Sequence, residues 1–153
     1  MAEVKNCFLP EDLKYHVEYN IWLRDLGDGS WEIGMTDIAQ TLAGSIIHCR
    51  PKKVGKKVKQ GKGLATVESG KWVGPVRTPF ACEVIAANEV VEADATIINK
   101  SPYKEGWIVR VKPVEGEAAT AELLDAAAAV EGFAGYMAEH ELGEYIHCEG
   151  FNC

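Results

Sequence analysis

The sequence predicts a mostly-β domain, a small barrel or sandwich, with flanking helices and a helical C-terminal segment. Short β-type runs separated by turn residues recur from Ser45 to about Val111, and the apolar pattern then changes to a dense, alanine-rich stretch. The chain has 153 residues with 47% hydrophobic content, one domain's length with material for an ordinary core. The expected extent is one domain over 1–143, a β core over about 17–112, a helical segment over about 117–140 and a flexible, cysteine-bearing tail over 144–153.

In chain order, Val17 to Leu26 and Trp31 to Gly34 flank Gly27-Asp28-Gly29-Ser30, two strand-like runs around a turn tolerant of positive φ, which reads as a hairpin. Thr36 or Asp37 can cap a short helix in which Ile38 and Leu42 share a face and Gly44 supplies the stop. Strands are then expected at Ser45–Cys49, Lys62–Glu68, Cys82–Ala87, Ala95–Asn99 and Trp107–Val111, the last alternating between a drier and a wetter face. Val58-x-x-Gly61-x-x-Leu64 lines up with Val91-x-x-Asp94-x-x-Ile97, an internal echo of two β units that also carries Lys71 onto Lys104. In the tail, early acids and alanines favour helix, and Gly132 and Gly135 divide it into two short ones.

Charge is unevenly placed. Residues 1–112 hold all 16 cations, whereas 113–153 hold nine of the 23 acids and no Lys or Arg, giving a net charge of −7. Lys52, Lys53, Lys56, Lys57, Lys59 and Lys62 cluster, but no aromatic residue lies between Trp31 and Trp72 to stack on bases, and no DNA-binding spacing surrounds them. The cluster reads as a solvated face or a patch for an acidic partner, with no nucleic acid. No window approaches the roughly 18 apolar residues of a membrane span, and residues 1–11 do not read as a signal peptide, so no membrane is expected. Five cysteines without C-x-x-C spacing fit reduced thiols in a cytoplasmic protein. Cys82 reads as core; Cys148 and Cys153, with His147, leave a metal site or disulfide open against a plain flexible tail, and no metal is assigned.

No catalytic constellation is present: G-x-S-x-G, the phosphate-binding G-x-x-x-x-G-K-[ST], H-E-x-x-H and strand-linked G-x-G-x-x-G are all missing. His16, His48, His140 and His147 are scattered. What remains is Val67-Glu68-Ser69-Gly70-Lys71-Trp72-Val73-Gly74-Pro75, a strand-like run reaching a small pair, one lysine, and then a return to turn chemistry. That order presents Lys71 at the tip of a tight turn. By itself this is what an ordinary solvated lysine would also show.

From Trp31 to Lys112 the sequence resembles the glycine-cleavage H-protein family of lipoyl carriers. The matching pieces are Ile33-Gly34-Met35-Thr36-Asp37-Ile38-Ala39-Gln40, Val54-Gly55 through Val58-Lys59-Gln60-Gly61, Val67-Glu68-Ser69-Gly70-Lys71, and Ser101-Pro102-Tyr103-Lys104-Glu105-Gly106-Trp107, in the family's order. The resemblance implies a barrel-sandwich hybrid flanked by helices, and lipoic acid in amide linkage to Lys71. Glu68, Ser69, Gly70 and Trp72 would then be the platform that an attaching lipoate ligase or lipoyl transferase recognises. Amide formation removes a charge that a free lysine keeps at neutral pH and leaves a long apolar arm with two-electron redox chemistry. Such a protein is not an enzyme but a substrate for its partners. Biotin carriers place Met on both sides of their lysine, and here the flanks are Gly70 and Trp72.

After its lysine an ordinary H-protein continues with small residues, whereas this chain has Trp72-Val73-Gly74-Pro75-Val76. With Pro51-Lys52-Lys53-Val54-Gly55, this run is similar to the lipoate-binding proteins of the sulfur-oxidising heterodisulfide-reductase-like system. That branch implies a heterodisulfide-reductase-like complex as partner and sulfur-bound intermediates as cargo. The alternative within the family is an aminomethyl carrier working with glycine decarboxylase, aminomethyltransferase and dihydrolipoamide dehydrogenase. Outside it stands an unmodified interaction module that uses the lysine cluster or the acidic tail.

Overall fold

Residues 2–4, 7–70, 72–116 and 122–139 are described in the computed structural model, 2–4 and 139 through their backbone alone. In chain order the elements are β1 (Ala2–Val4), β2 (Cys7–Leu9), β3 (Lys14–His16), β4 (Ile21–Asp25), β5 (Trp31–Met35), α1 (Asp37–Ala43), β6 (Ile46–Pro51), β7 (Lys57–Val58), β8 (Gly63–Ser69), β9 (Val73–Arg77), β10 (Cys82–Ala87), α2 (Glu89–Ala93), α3 (Thr96–Lys100), β11 (Val109–Pro113) and α4 (Ala126–Glu139). A six-stranded antiparallel sheet runs β3-β4-β5-β11-β10-β7, and a three-stranded one runs β6-β8-β9. A small β1-β2 ladder stands apart. The expected mostly-β fold with flanking helices is present as two open sheets rather than a closed barrel.

The two larger sheets bury one core between them, with Ile21, Leu23, Ile33, Leu64, Val67, Phe80, Val84, Val109 and Val111 nearly inaccessible. A second cluster, formed mostly by residues outside the expected 17–112 core, joins Leu9, Leu13 and Tyr15, with Trp22, to Ala129, Phe133 and Met137 of α4. At that seam Gly132 is pressed against Val17, where a β-carbon would stand 2.8 Å from Cγ2. This contact explains why Gly132 does not divide the helix. The expectation of two short helices is corrected to one, because Ala129, Phe133 and Met137 recur on one buried face across both glycines.

The hairpin over Gly27–Ser30 is present, closed by the Leu26 amide donating to the Ser30 carbonyl at 3.1 Å. The helix after Thr36 is present too, with Thr36 Oγ1 accepting from the Ala39 amide at 3.0 Å as cap. Two expectations fail. The predicted strand Ala95–Asn99 is helical: Asp94 accepts from both the amide (3.1 Å) and the hydroxyl (2.6 Å) of Thr96, starting α3 instead. Asn99 then ties α3 to α1 and β6 through Gln40 Oε1 (2.9 Å), the Gly44 carbonyl (2.9 Å) and the Ile46 amide (2.8 Å). The internal echo therefore has no structural counterpart, since Val58 and Leu64 lie in strands while Val91 and Ile97 lie in helices. The second failure is Val73–Pro75, read as a return to turn chemistry but forming the start of β9 in register with Glu68, Val67 and Thr66.

Two family motifs are structural joints. Pro102 accepts the Trp22 indole N–H at 2.8 Å, and the buried Tyr103 hydroxyl accepts the Asp37 amide at 2.8 Å while donating to the Phe8 carbonyl. Glu32, only 4% exposed, bridges Arg24 (2.6 Å) and Arg110 (2.9 Å). No described helix is long and apolar enough to cross a membrane.

Candidate functional site

The hairpin β8–β9 carries the residues singled out in sequence. Its turn is closed by the Ser69 amide donating to the Trp72 carbonyl at 2.7 Å, with the Ser69 hydroxyl aimed at the same oxygen at 3.3 Å. Ser69 is buried, so it holds the turn rather than presenting itself. Between these two residues the chain passes through Gly70 and Lys71. Lys71 lies outside the described residues. Gly70 is exposed, and among the described residues, its chain neighbours aside, nothing lies within 4 Å of where a β-carbon would sit. Glu68 is exposed on the central strand, between His48 of β6 and Val73 of β9 on the outer face of the sheet.

Trp72 remains 41% exposed, yet its indole is not loose. It folds back over its own strand, where a β-carbon on Gly74 would come within 2.5 Å of Trp72 Cζ2. Gly74 is thus the residue that lets the indole lie flat. The indole also lines a cleft of about 590 Å³, together with Pro75, Val76 and Arg77 of β9 and with Tyr19, Ile21, Met35, Ala39 and Ala43. Tyr136 of α4 reaches the same cleft. The sequence did not single these out as site residues: they come from four separated segments, and only Met35 and Ala39 fall within a family motif.

Charge in the cleft is sparse. Glu18 and Arg77 supply one of each sign, and the Asn20 side-chain oxygen is taken by the Thr36 hydroxyl. Arg77 is anchored by donating to the Gly61 carbonyl at 2.9 Å. The lining of the cleft is therefore mostly apolar.

None of the described residues in this neighbourhood has a raised reactivity of its own. Among the described residues no group of three His, Cys, Asp or Glu can hold a metal ion. Burial pushes the Cys49 thiol up to about 12 and the Cys82 thiol up to about 11, the opposite of a reactive cysteine. His16 is lowered by burial and stacks on Tyr19 at 4.1 Å. Cys148, Cys153, His140 and His147 lie outside the described residues. Lys104, the echo partner of Lys71, is an exposed residue of the turn after α3.

A hairpin turn, exposed at Gly70, stands beside a mostly apolar cleft, an arrangement compatible with a carrier of a tethered group. The comparisons agree. The family model "Glycine cleavage H-protein" matches residues 13–135. Glycine cleavage system H protein 5 of Aquifex aeolicus is 45% identical over 135 residues, 86% of this chain and 90% of that protein. A probable glycine cleavage system H protein 2 of Sulfurisphaera tokodaii is 39% identical over 155 residues, 100% of this chain and 98% of that protein. The crystal structure of a glycine cleavage system H protein from Mycobacterium marinum matches with a TM-score of 0.69 at 26% identity, covering 88% of this chain and 100% of that one. The chain belongs to the glycine cleavage H-protein family, whose members are non-catalytic carriers with lipoate bound covalently to a lysine.

Proposed function

We propose that this protein is a single-domain lipoyl carrier whose lipoate is attached to Lys71, and that it serves glycine cleavage as the aminomethyl carrier. The turn closed between Ser69 and Trp72 is the observation that carries the reading. It holds two strands of an open sheet in fixed register and leaves Gly70 unobstructed, as an attaching enzyme requires. In this reading Glu68 and Trp72 flank the modified residue as recognition contacts, and Ser69 fixes the backbone. The bound group supplies disulfide–dithiol chemistry; the chain supplies the turn, the cleft wall and the apolar surface that excludes water. Glycine decarboxylase, aminomethyltransferase and dihydrolipoamide dehydrogenase are the implied partners, with a lipoate ligase or lipoyl transferase upstream.

A second reading rests on Trp72. The indole lines the cleft at a position where an ordinary H-protein has a small residue, which supports a different cargo: sulfur-bound intermediates passed to a heterodisulfide-reductase-like complex. The numbered copies 2, 3 and 5 of the H protein in Aquifex aeolicus leave room for such division of labour within the family.

Co-expression with a lipoate ligase followed by peptide mapping tests the attachment: the added mass is expected on Lys71 and absent in Lys71→Arg, and modification at Lys104 instead would overturn it. Reconstitution with the three glycine-cleavage enzymes tests the pathway. Glycine decarboxylation at ordinary H-protein rates supports the first reading; failure by fully lipoylated protein, reversed by Trp72→Ala, supports the second.

A further inference from the structure

The lysine-rich pole of the molecule is separate from the carrier turn. β8 starts beside Lys62 and ends at Ser69, so about 20 Å of extended chain separates the two. At this pole β7, β10 and β11 end around a groove of about 610 Å³. Its floor is Val58, Cys82, Pro113 and the exposed Val114, and its rim carries Lys57, Lys59 and Lys112 against a single acid, Glu83. Glu83 lies in register between Lys57 and Lys112, which leaves the row Lys57–Glu83–Lys112 with an excess of positive charge. Among the described residues none of these three lysines forms a salt bridge.

The same pole has an open sheet edge. Of the four edges of the two larger sheets, β3 is bridged by Leu124, β6 is packed by α2 and α3, and β9 carries Pro75. β7 has β10 on one side and, among the described residues, no strand on the other. The Val84 amide donates to the Lys56 carbonyl at 2.9 Å, so antiparallel alternation turns the amide and carbonyl of Lys57 outward, toward the unpaired edge. Lysine on an edge discourages pairing with neutral or basic strands, and it favours an acidic one.

We propose that this edge and groove dock an extended acidic segment of a partner protein, with carboxylates facing Lys57, Lys59 and Lys112 and an apolar side chain on the Val58–Val114 floor. The occupant is a protein segment rather than a nucleic acid, because the floor is apolar without an aromatic platform and the net charge of −7 repels a long polyanion. Docking here leaves the far turn free, so a partner can hold the carrier while its arm works elsewhere. The inference is independent of what Lys71 carries.

The test uses the full-length protein, isotope-labelled for NMR and unmodified through Lys71→Arg, with a synthetic peptide of alternating Glu and Val as probe. Saturable shifts confined to Lys57, Val58, Cys82 and Lys112–Val114 are expected. Binding should weaken by about tenfold in Lys57→Glu/Lys112→Glu, less in the milder Lys57→Gln, and hardly at all in Lys52→Glu/Lys53→Glu. An N-methylated version of the peptide should lose binding, because it cannot pair with the edge. Equal binding by a Lys–Val peptide, tighter binding of single-stranded DNA or phosphatidylserine vesicles, or shifts spread evenly over Lys52–Lys62 would each overturn the proposal.

Discussion

The indole of Trp72 lies across Gly74 so closely that a β-carbon there would stand 2.5 Å from Cζ2. Trp72 immediately precedes β9 and Gly74 lies within it, and Trp72 lines the cleft beside the turn. Gly74→Ala should lift the indole into solvent without disturbing the hairpin register. The expected reading is increased acrylamide quenching of Trp72 fluorescence in a background where the other tryptophans are replaced by phenylalanine. Trp72→Ala should cost about 1–2 kcal/mol, since the side chain is little more than half covered.

Glu32 stands almost wholly out of water between two guanidinium groups. Glu32→Ala leaves Arg24 and Arg110 side by side without their shared carboxylate. A loss of about 3 kcal/mol in urea unfolding is expected, with the m-value unchanged. Glu32→Gln should lose less, because it still offers an acceptor.

His16 gives the fold a dependence on pH. Burial lowers its folded-state value, against the pull of Glu18 and Glu122, and Nδ1 accepts the Tyr19 amide at 3.2 Å in the neutral form. Below about pH 6.5 the unfolded chain takes up a proton that the folded chain resists. This contribution is therefore complete above neutrality and declines as pH falls through the unfolded value. Urea midpoints at pH 7.5 and 5.5 should differ more for the parent protein than for His16→Gln, and an equal difference would remove His16 from the account.

Cys7, Cys49 and Cys82 are buried, and the raised thiols of Cys49 and Cys82 carry little thiolate at pH 8. Mass mapping after brief native exposure to iodoacetamide should find all three unmodified, and all three modified in guanidinium. Native labelling of Cys49 would contradict the structure.

Much of the scaffold was legible because its local signals agree with its packing. The Gly27–Ser30 turn, the Thr36 cap and the β10 run each combine the residue types and the burial that their element needs. The stretch Ala95–Asn99 does not declare itself locally, because its four apolar or branched residues, Ala95 to Ile98, fit a strand or a single helical turn equally well. The Asp94–Thr96 contacts and the long-range ties of Asn99 decide it. β9 escaped notice for a related reason: Gly74 and Pro75 are poor strand formers, and only their pairing with β8 makes them a strand. The turn bearing Lys71 was readable as a motif, whereas the cleft beside it is assembled from distant segments that no local pattern links.

Pro75 sits opposite Thr66 at a position whose nitrogen points away from β8, so the missing hydrogen breaks no bond within the sheet. Its effect falls on the outside. A foreign strand laid against this flank would meet a gap in the donor row, which discourages copies of the molecule from pairing along it. The apolar cleft that β9 borders thus lies beside an edge guarded against permanent capture by its neighbours.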